Sequence, residues 1–416
     1  MDDATLQVGA AVRAVDVPPG TRMSGYAART SGSTGVHDAM TVRAIVLERV
    51  ALVTVDCCVL HESTCAAVRA AVIAQGAVDD AVVHATHTHS GPCIGAGRAG
   101  VDEARVRAEV ARVIPDAVAA AVSRQLPCTA GFAEAFGTGV ARNRRHPGRD
   151  IDPPVQVVGF DHRGRRVATL VSYACHPVVL DAANTLISGD FTAPLRDQVE
   201  QAFPGSVCVY ATGPAGDVNP GDFSPESSFV TAEGHTLADA ARIGGILAGA
   251  AVAAPVHRID ASDAEIAATG VTLALEAAGD IAGDVRAWRE ELAGGTGREA
   301  LLNEWLRWAQ TRPPAADWTG RVSVIAAGDL RIVCLPNEPF LAASALLRPH
   351  HDGPLLVLGY CDGVAGYLPD AAEYAHGGYE VADAHRYYGM PAPFASGSLE
   401  RVTDAAAALL VRMSRR

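Results

Sequence analysis

The stretch MTVRAIVLERVALVTVDCCV, residues 40–59, decides the fold of this chain. It reads as two β-rich segments, and the second runs almost without interruption through apolar side chains until Asp56. A strand with one wet face alternates apolar and polar residues, whereas a near-continuous apolar run marks a strand in a sheet covered on both sides. Just downstream, residues 62–74 carry a helical period, and Ala81-Val82-Val83-His84-Ala85 forms another short strand. Strand, helix, strand predicts an α/β protein, and such sheets build their sites at the carboxyl ends of strands. The segment that follows, Thr86-His87-Thr88-His89-Ser90-Gly91-Pro92, is therefore the first place to look for chemistry.

Working outward, residues 102–123 predict a helix, and 156–160 with 167–174 predict a hairpin turned at Asp161-His162-Arg163-Gly164. A strand over 207–211 feeds the breaker-rich turn Thr212-Gly213-Pro214-Ala215-Gly216-Asp217. Alanine and glycine dominate 231–255, which reads as one long helix. A charged helical stretch over about 277–314 carries Trp288, Trp305 and Trp308; the spacing of the last two on one helix face predicts packing rather than a ligand-stacking platform. Strands resume at 322–326, 330–335 and 355–358, and a final helix covers 396–412. There is neither an internal repeat nor a low-complexity linker, so residues 1–416 are expected to form a single domain with 277–314 as a helical insertion.

Composition narrows the function. Of the 416 residues 49% are apolar, ample for a packed core, and the net charge of −13 argues against nucleic acid or an anionic membrane as partner. A small-molecule substrate is the remaining expectation. The start, Met1-Asp2-Asp3-Ala4-Thr5-Leu6-Gln7, lacks a basic and then apolar leader, and no apolar run reaches the roughly 20 residues that span a bilayer. Nine cysteines, an odd number without a CxxC pair, suit reduced thiols. These features together predict a cytoplasmic protein. Cys175, beside a histidine of interest, reads as a small buried residue.

Four places could carry chemistry. In His87-Thr88-His89 the i, i+2 spacing turns both imidazoles the same way if the backbone is extended; alone the pattern is weak. Ser172-Tyr173-Ala174-Cys175-His176-Pro177 puts a second histidine at the end of a second apolar strand. In Leu335-Pro336-Asn337-Glu338-Pro339-Phe340 a carboxylate sits at a buried strand terminus, costly without a charge partner. Tyr367, Tyr374 and Tyr379 form a tyrosine-rich stretch. Separate strands that each end in a potential ligand are what a site assembled by folding requires. Asp56 and Asp190 could orient a metal-bound imidazole or simply cap helices. His84, His350 and His351 read as structural or surface residues, and Tyr26 and Tyr374 as cleft-lining or packing ones.

Taken in order, His87-Thr88-His89-Ser90-Gly91-Pro92, the pair Asn143-Arg144, His176, Ser188-Gly189-Asp190, the turn Gly216-Asp217-Val218-Asn219-Pro220, Pro336-Asn337-Glu338-Pro339-Phe340, and Gly366-Tyr367 followed by Tyr374 and Tyr379 resemble the catalytic domain of the neutral, non-lysosomal ceramidases. The match runs from about Gly25-Tyr26 to Tyr379. It implies mixed β-sheets flanked by helices. It also implies zinc as cofactor, held by His87, His176, Glu338 and Tyr367, a mixed nitrogen and oxygen set that suits this ion. His89, Arg144 and Tyr379 are implied to stabilise the oxyanion at an amide carbon, each such donor being worth on the order of 3 kcal/mol. The zinc would lower the pKa of its water toward ~7.

One departure bears on substrate. Where ceramidases carry a serine in the GDV turn, this chain has Asn219, whose amide can donate and accept hydrogen bonds but cannot act as a hydroxyl nucleophile or relay. Ceramidases are also exported and continue into a further β-rich domain. The expectation is therefore a zinc-dependent amidohydrolase cleaving a C–N bond of a soluble N-acyl or peptide-like molecule. Acyl transfer to an amine on the same site, or a non-catalytic binder that keeps the metal, are the alternatives.

Overall fold

In the computed structural model, which describes residues 5–221, 235–277 and 279–414, the chain forms two mixed sheets packed face to face. The larger sheet runs in the order Val207–Thr212, Arg165–Tyr173, Val155–His162, Leu126–Ala135, Leu6–Ala14, Thr41–Leu47, Val50–Val55, Asp80–Ala85, with His257–Ile259 also pairing to Leu126–Ala135. Its two outermost pairings are parallel and the rest antiparallel. The smaller sheet orders Ala264–Leu273, Trp318–Ala327, Leu330–Cys334, Leu355–Leu358, the last pair parallel.

Residues 40–59 behave as their sequence predicts. Every side chain of Thr41–Leu47 and Val50–Val55 is buried. Ile45 and Leu52 face the smaller sheet, within a core that includes Ile325, Ile332 and Leu358. Val42, Val53 and Val55 face outward, onto the core shared with Val68 of helix Glu62–Ala74 and with Val110 and Ile114 of helix Ala104–Val122. Helices Thr192–Ala202 and Leu237–Ala253 pack together and cover the other end of the same sheet, and Ser398–Met413 covers the smaller one. This makes four layers, helix, sheet, sheet, helix.

Besides short strands and the brief helix Ala342–Leu347, sequence reading missed three long strands and the helix Thr192–Ala202. Leu6–Ala14 lies next to the centre of the larger sheet, but its Gly9-Ala10-Ala11 run hides the apolar signal. The small residues have a reason: a Cβ on Gly9 would lie 2.0 Å from the backbone oxygen of Ala121, so helix Ala104–Val122 can rest there only on glycine. Leu126–Ala135 is interrupted by Pro127 and Gly131, Ala264–Leu273 is alanine-rich, and helix Thr192–Ala202 follows the irregular Asp190 turn. The helix expected over 231–255 is Leu237–Ala253, opened by a capping box between Thr236 and Asp239; its expected first residues, 231–234, lie outside the described ones.

The insertion is a helical pair, Ile281–Gly294 and Glu299–Thr311, with its own small core of Trp288, Leu301, Leu302, Trp305 and Trp308. All nine cysteines are buried and unbridged. Among the described residues, no helix is long and apolar enough to cross a membrane.

Candidate metal centre

Three chain segments deliver the site, each just past a strand. After Asp80–Ala85 the backbone leaves the sheet at His87, which adopts φ +66°. The extended reading of His87-Thr88-His89 is thus corrected: a left-handed residue, costing about 1–2 kcal/mol, replaces the straight strand. The turn is held by the His87 amide donating to the Cys57 carbonyl at 2.8 Å. His176 follows Arg165–Tyr173, and its amide donates to the Val218 carbonyl at 3.0 Å. Glu338 opens the short strand Glu338–Pro339, which pairs in parallel with Tyr367–Leu368 so that Glu338 stands opposite Tyr367. Asn337, just before it, is also left-handed, at φ +65°.

These segments converge on one point. His87 Nε2 and His176 Nε2 each lie 3.1 Å from Glu338 Oε2, and all three side chains are wholly buried. Each imidazole is oriented from behind by a backbone carbonyl. His87 Nδ1 donates to the Cys58 oxygen at 2.8 Å, and His176 Nδ1 to the Ala215 oxygen at 2.5 Å. A carbonyl only accepts, so the proton belongs on Nδ1 and both Nε2 lone pairs face the carboxylate. Two imidazole nitrogens and a carboxylate around one buried point form a place that a cation, a proton or a metal ion, can fill.

Protonation energetics report the same demand. Burial opposes a charge on His87, yet the Glu338 carboxylate outweighs it and pushes this histidine up to about 10. Burial and then the Arg144 charge pull His176 down to about 4, while Glu338, despite its burial, is held well below the usual carboxylate range by His87. The donors fit a divalent transition ion: two imidazole nitrogens and one carboxylate oxygen are a set zinc accepts.

The other expected residues surround this cluster. His89 turns its Nε2 to within 3.3 Å of His87 Nε2, and burial with the two neighbouring imidazoles holds it well below the normal histidine range. Tyr367 stacks over His176 with ring centroids 6.4 Å apart, and the Arg144 guanidinium lies 5.2 Å from the Tyr367 centroid. Arg144 Nη1 donates to Asn219 Oδ1 at 3.3 Å. Tyr379 stands 6.0 Å from Tyr367, centroid to centroid, on a wide helical turn Tyr379–Asp383. Burial works against the charge of Arg144, but Tyr367 and Glu380 more than restore it.

Of the two roles open to Asp56 and Asp190, orienting a site histidine or a structural cap, the hydrogen bonds favour the structural one. Asp56 pairs with Arg196 at 2.6 and 3.0 Å and with Thr41, and Asp190 accepts from the Leu180 and Phe191 amides. Their hydrogen bonds serve those partners and orient neither His87 nor His176; backbone carbonyls do that. His84 is structural, its Nε2 accepting from the Thr212 amide at 3.0 Å.

Several neighbours were not anticipated, while Tyr26, read as cleft-lining or packing, is found beside His89. Tyr388 donates a short hydrogen bond to Glu338 Oε1, and Tyr360 stacks on His87 at 4.3 Å. Glu380 grips Arg144 at 2.7 Å and Arg145 at 2.5 Å. Arg29 donates to the His89 carbonyl at 2.7 Å, and Tyr26 meets the His89 ring edge-on at 5.0 Å. A Cβ on the preceding Gly25 would lie 2.4 Å from the His89 ring, so glycine is required there.

This α/β architecture is the neutral ceramidase fold. The structure matches the crystal structure of neutral ceramidase from Pseudomonas aeruginosa with a TM-score of 0.76 at 18% identity, covering 100% of this chain and 75% of that one. A second solved structure, described as ceramidase complexed with C2, matches at 0.73 and 17% identity, covering 100% and 76%. No family model and no curated protein matches the sequence. The expected fold class is borne out.

Proposed function

We propose that this protein is a zinc-dependent amidohydrolase that cleaves a C–N amide bond of a soluble N-acyl or peptide-like molecule. The observation that carries the reading is the convergence of His87 Nε2 and His176 Nε2 on Glu338 Oε2, with both Nδ1 atoms spent on backbone carbonyls. Tyr367, paired with Glu338 across two short strands, is the fourth ligand in this reading. Bound there, zinc supplies the Lewis acidity that activates a water against an amide carbonyl.

The remaining residues are arranged for the charge such a reaction develops. Arg144 is a permanently charged donor locked by Glu380, and Tyr379 adds a phenol beside it. His89 is held neutral by its surroundings, so it meets the site as an uncharged hydrogen-bonding imidazole. Cationic and hydrogen-bonding groups fixed before the reaction and shielded from water are the costliest part of amide cleavage to assemble, and each is worth on the order of 3 kcal/mol. The net charge of −13 favours a dissolved substrate over one embedded in an anionic bilayer.

The test is metal analysis of the purified protein together with a screen of soluble N-acyl compounds, with and without chelator. Zinc at one equivalent and chelator-sensitive cleavage that disappears in His87→Ala are expected. Metal-free protein, or cleavage unchanged in His87→Ala, overturns the reading. Product analysis with added amine separates hydrolysis from acyl transfer.

A further inference from the structure

The Asn219 amide is fixed in one orientation. The strand Val218–Pro220 pairs with Ala141–Asn143, placing Asn219 opposite Arg142 and next to the Arg144 side chain. Arg144 can only donate, so the atom of Asn219 at 3.3 Å from its Nη1 is the oxygen Oδ1. The guanidinium is itself held by Glu380, to which Nε donates at 2.8 Å while Nη2 lies at an ion-pair distance of 2.7 Å without a hydrogen bond of its own. Glu380 in turn is gripped by Arg145, whose Nε donates to Glu373 at 2.9 Å. The amide therefore cannot turn over without setting Nδ2 against a cation.

That leaves Nδ2 with two N–H donors. The bond from Arg144 is the side chain's hydrogen bond among the described residues, and Nδ2 is not among the fully buried polar atoms that lack a partner. Through Arg144, whose guanidinium lies over the Tyr367 ring that stacks on His176, the Asn219 side chain adjoins the ligand cluster. Resting on the amidohydrolase reading, the geometry points to a specificity role: Asn219 Nδ2 donates to an acceptor oxygen of the substrate next to the scissile amide, so the preferred substrate is peptide-like, with a second carbonyl flanking the bond that is cut. An aliphatic amide leaves both donors unmet, and an unmet buried donor costs more than a made bond gains.

The substitution that separates this role from mere support of Arg144 is Asn219→Asp. Its carboxylate still accepts from Arg144 but has no donor to offer. A neutral probe pair avoids charge repulsion: blocked diglycine, whose central amide has a carbonyl on each side, and N-propylpentanamide, which has neither. With zinc-loaded enzyme, wild type is expected to favour blocked diglycine by at least about 10-fold in kcat/KM, and Asn219→Asp to erase that margin. Calorimetric binding of the same pair to Glu338→Gln, with and without Asn219→Asp, reads the preference without turnover. An unchanged margin in both measurements overturns the inference. If wild type cleaves neither probe, the amidohydrolase reading is at fault, and the binding comparison still decides the role of Asn219.

Discussion

The candidate metal cluster and the tryptophan cage each enclose a place for positive charge, with different materials. At the cluster, His87, His176 and Glu338 bring two lone pairs and a carboxylate to one point and leave the cation to be supplied. At the cage, the chain supplies its own: the Arg386 guanidinium lies 4.9, 4.6 and 5.7 Å from the rings of Trp288, Trp305 and Trp308, and pairs with Asp383. Aromatic faces hold a cation with little need for water and little cost in orientation. The difference is one of supply: the region left short of a charge has room for an ion, and the other holds its own cation.

The two regions are joined by one segment. Residues 379–390 carry Tyr379, Glu380 and Tyr388 toward the cluster and Arg386 into the cage, and Trp308 Nε1 fastens the far end by donating to the Met390 carbonyl at 2.7 Å. The helical insertion is thereby clamped to the wall of the site.

The largest effect should come from breaking the cluster. Glu338→Gln keeps the shape and removes the anion, and it should weaken zinc binding by more than about 100-fold, beyond what loss of an outer partner costs. Competition with a chelating dye measures this; an affinity close to wild type would mean that the carboxylate is structural only. Tyr388→Phe tests an outer partner. It removes the hydrogen bond to Glu338 Oε1 and should cost about 10- to 100-fold in zinc affinity without altering the cage.

Breaking the cage should have the opposite signature. Arg386→Met removes a desolvated cation from three indoles and should cost about 2 kcal/mol of stability, read by urea titration, while zinc affinity stays within a few-fold of wild type. If zinc binding falls as far as in Tyr388→Phe, the cage positions Tyr388 and the two regions are not separable.

The sequence carried these regions unequally. Strands such as 41–47 and 50–55 were legible because burial on both faces forbids polar residues, and Glu338 stood out because a carboxylate at a buried strand end needs a partner. The tryptophans showed their helix-face spacing, but their partner Arg386 is 78 residues from Trp308 and ordinary in composition. Tyr388 sits in an irregular turn where no period applies, and its neighbour Tyr387 is equally tyrosine. The left-handed bend at His87 was illegible because histidine rarely adopts it and only the assembled site compensates the strain.

The smallest effect belongs to His385, which packs edge-on against Trp308 at 5.2 Å and whose Nδ1 is buried without a partner. Burial, reinforced by the adjacent Arg386, pulls this histidine down to about 3. An unfolded histidine titrates near ~6.5, so between those values the unfolded chain binds the extra proton. The stability at stake is present above about 6.5 and is lost as pH falls toward 3. At pH 5.5 the loss amounts to roughly 1 kcal/mol from this one group. His176 and His89 are also lowered and add to the acid sensitivity of the metal-free protein, so the decisive quantity is a difference. In chelator, wild type should lose about 1 kcal/mol more than His385→Phe between pH 7.5 and 5.5. Equal losses would mean that His385 accepts its proton inside the folded cage, and that the cage tolerates a second positive charge beside Arg386.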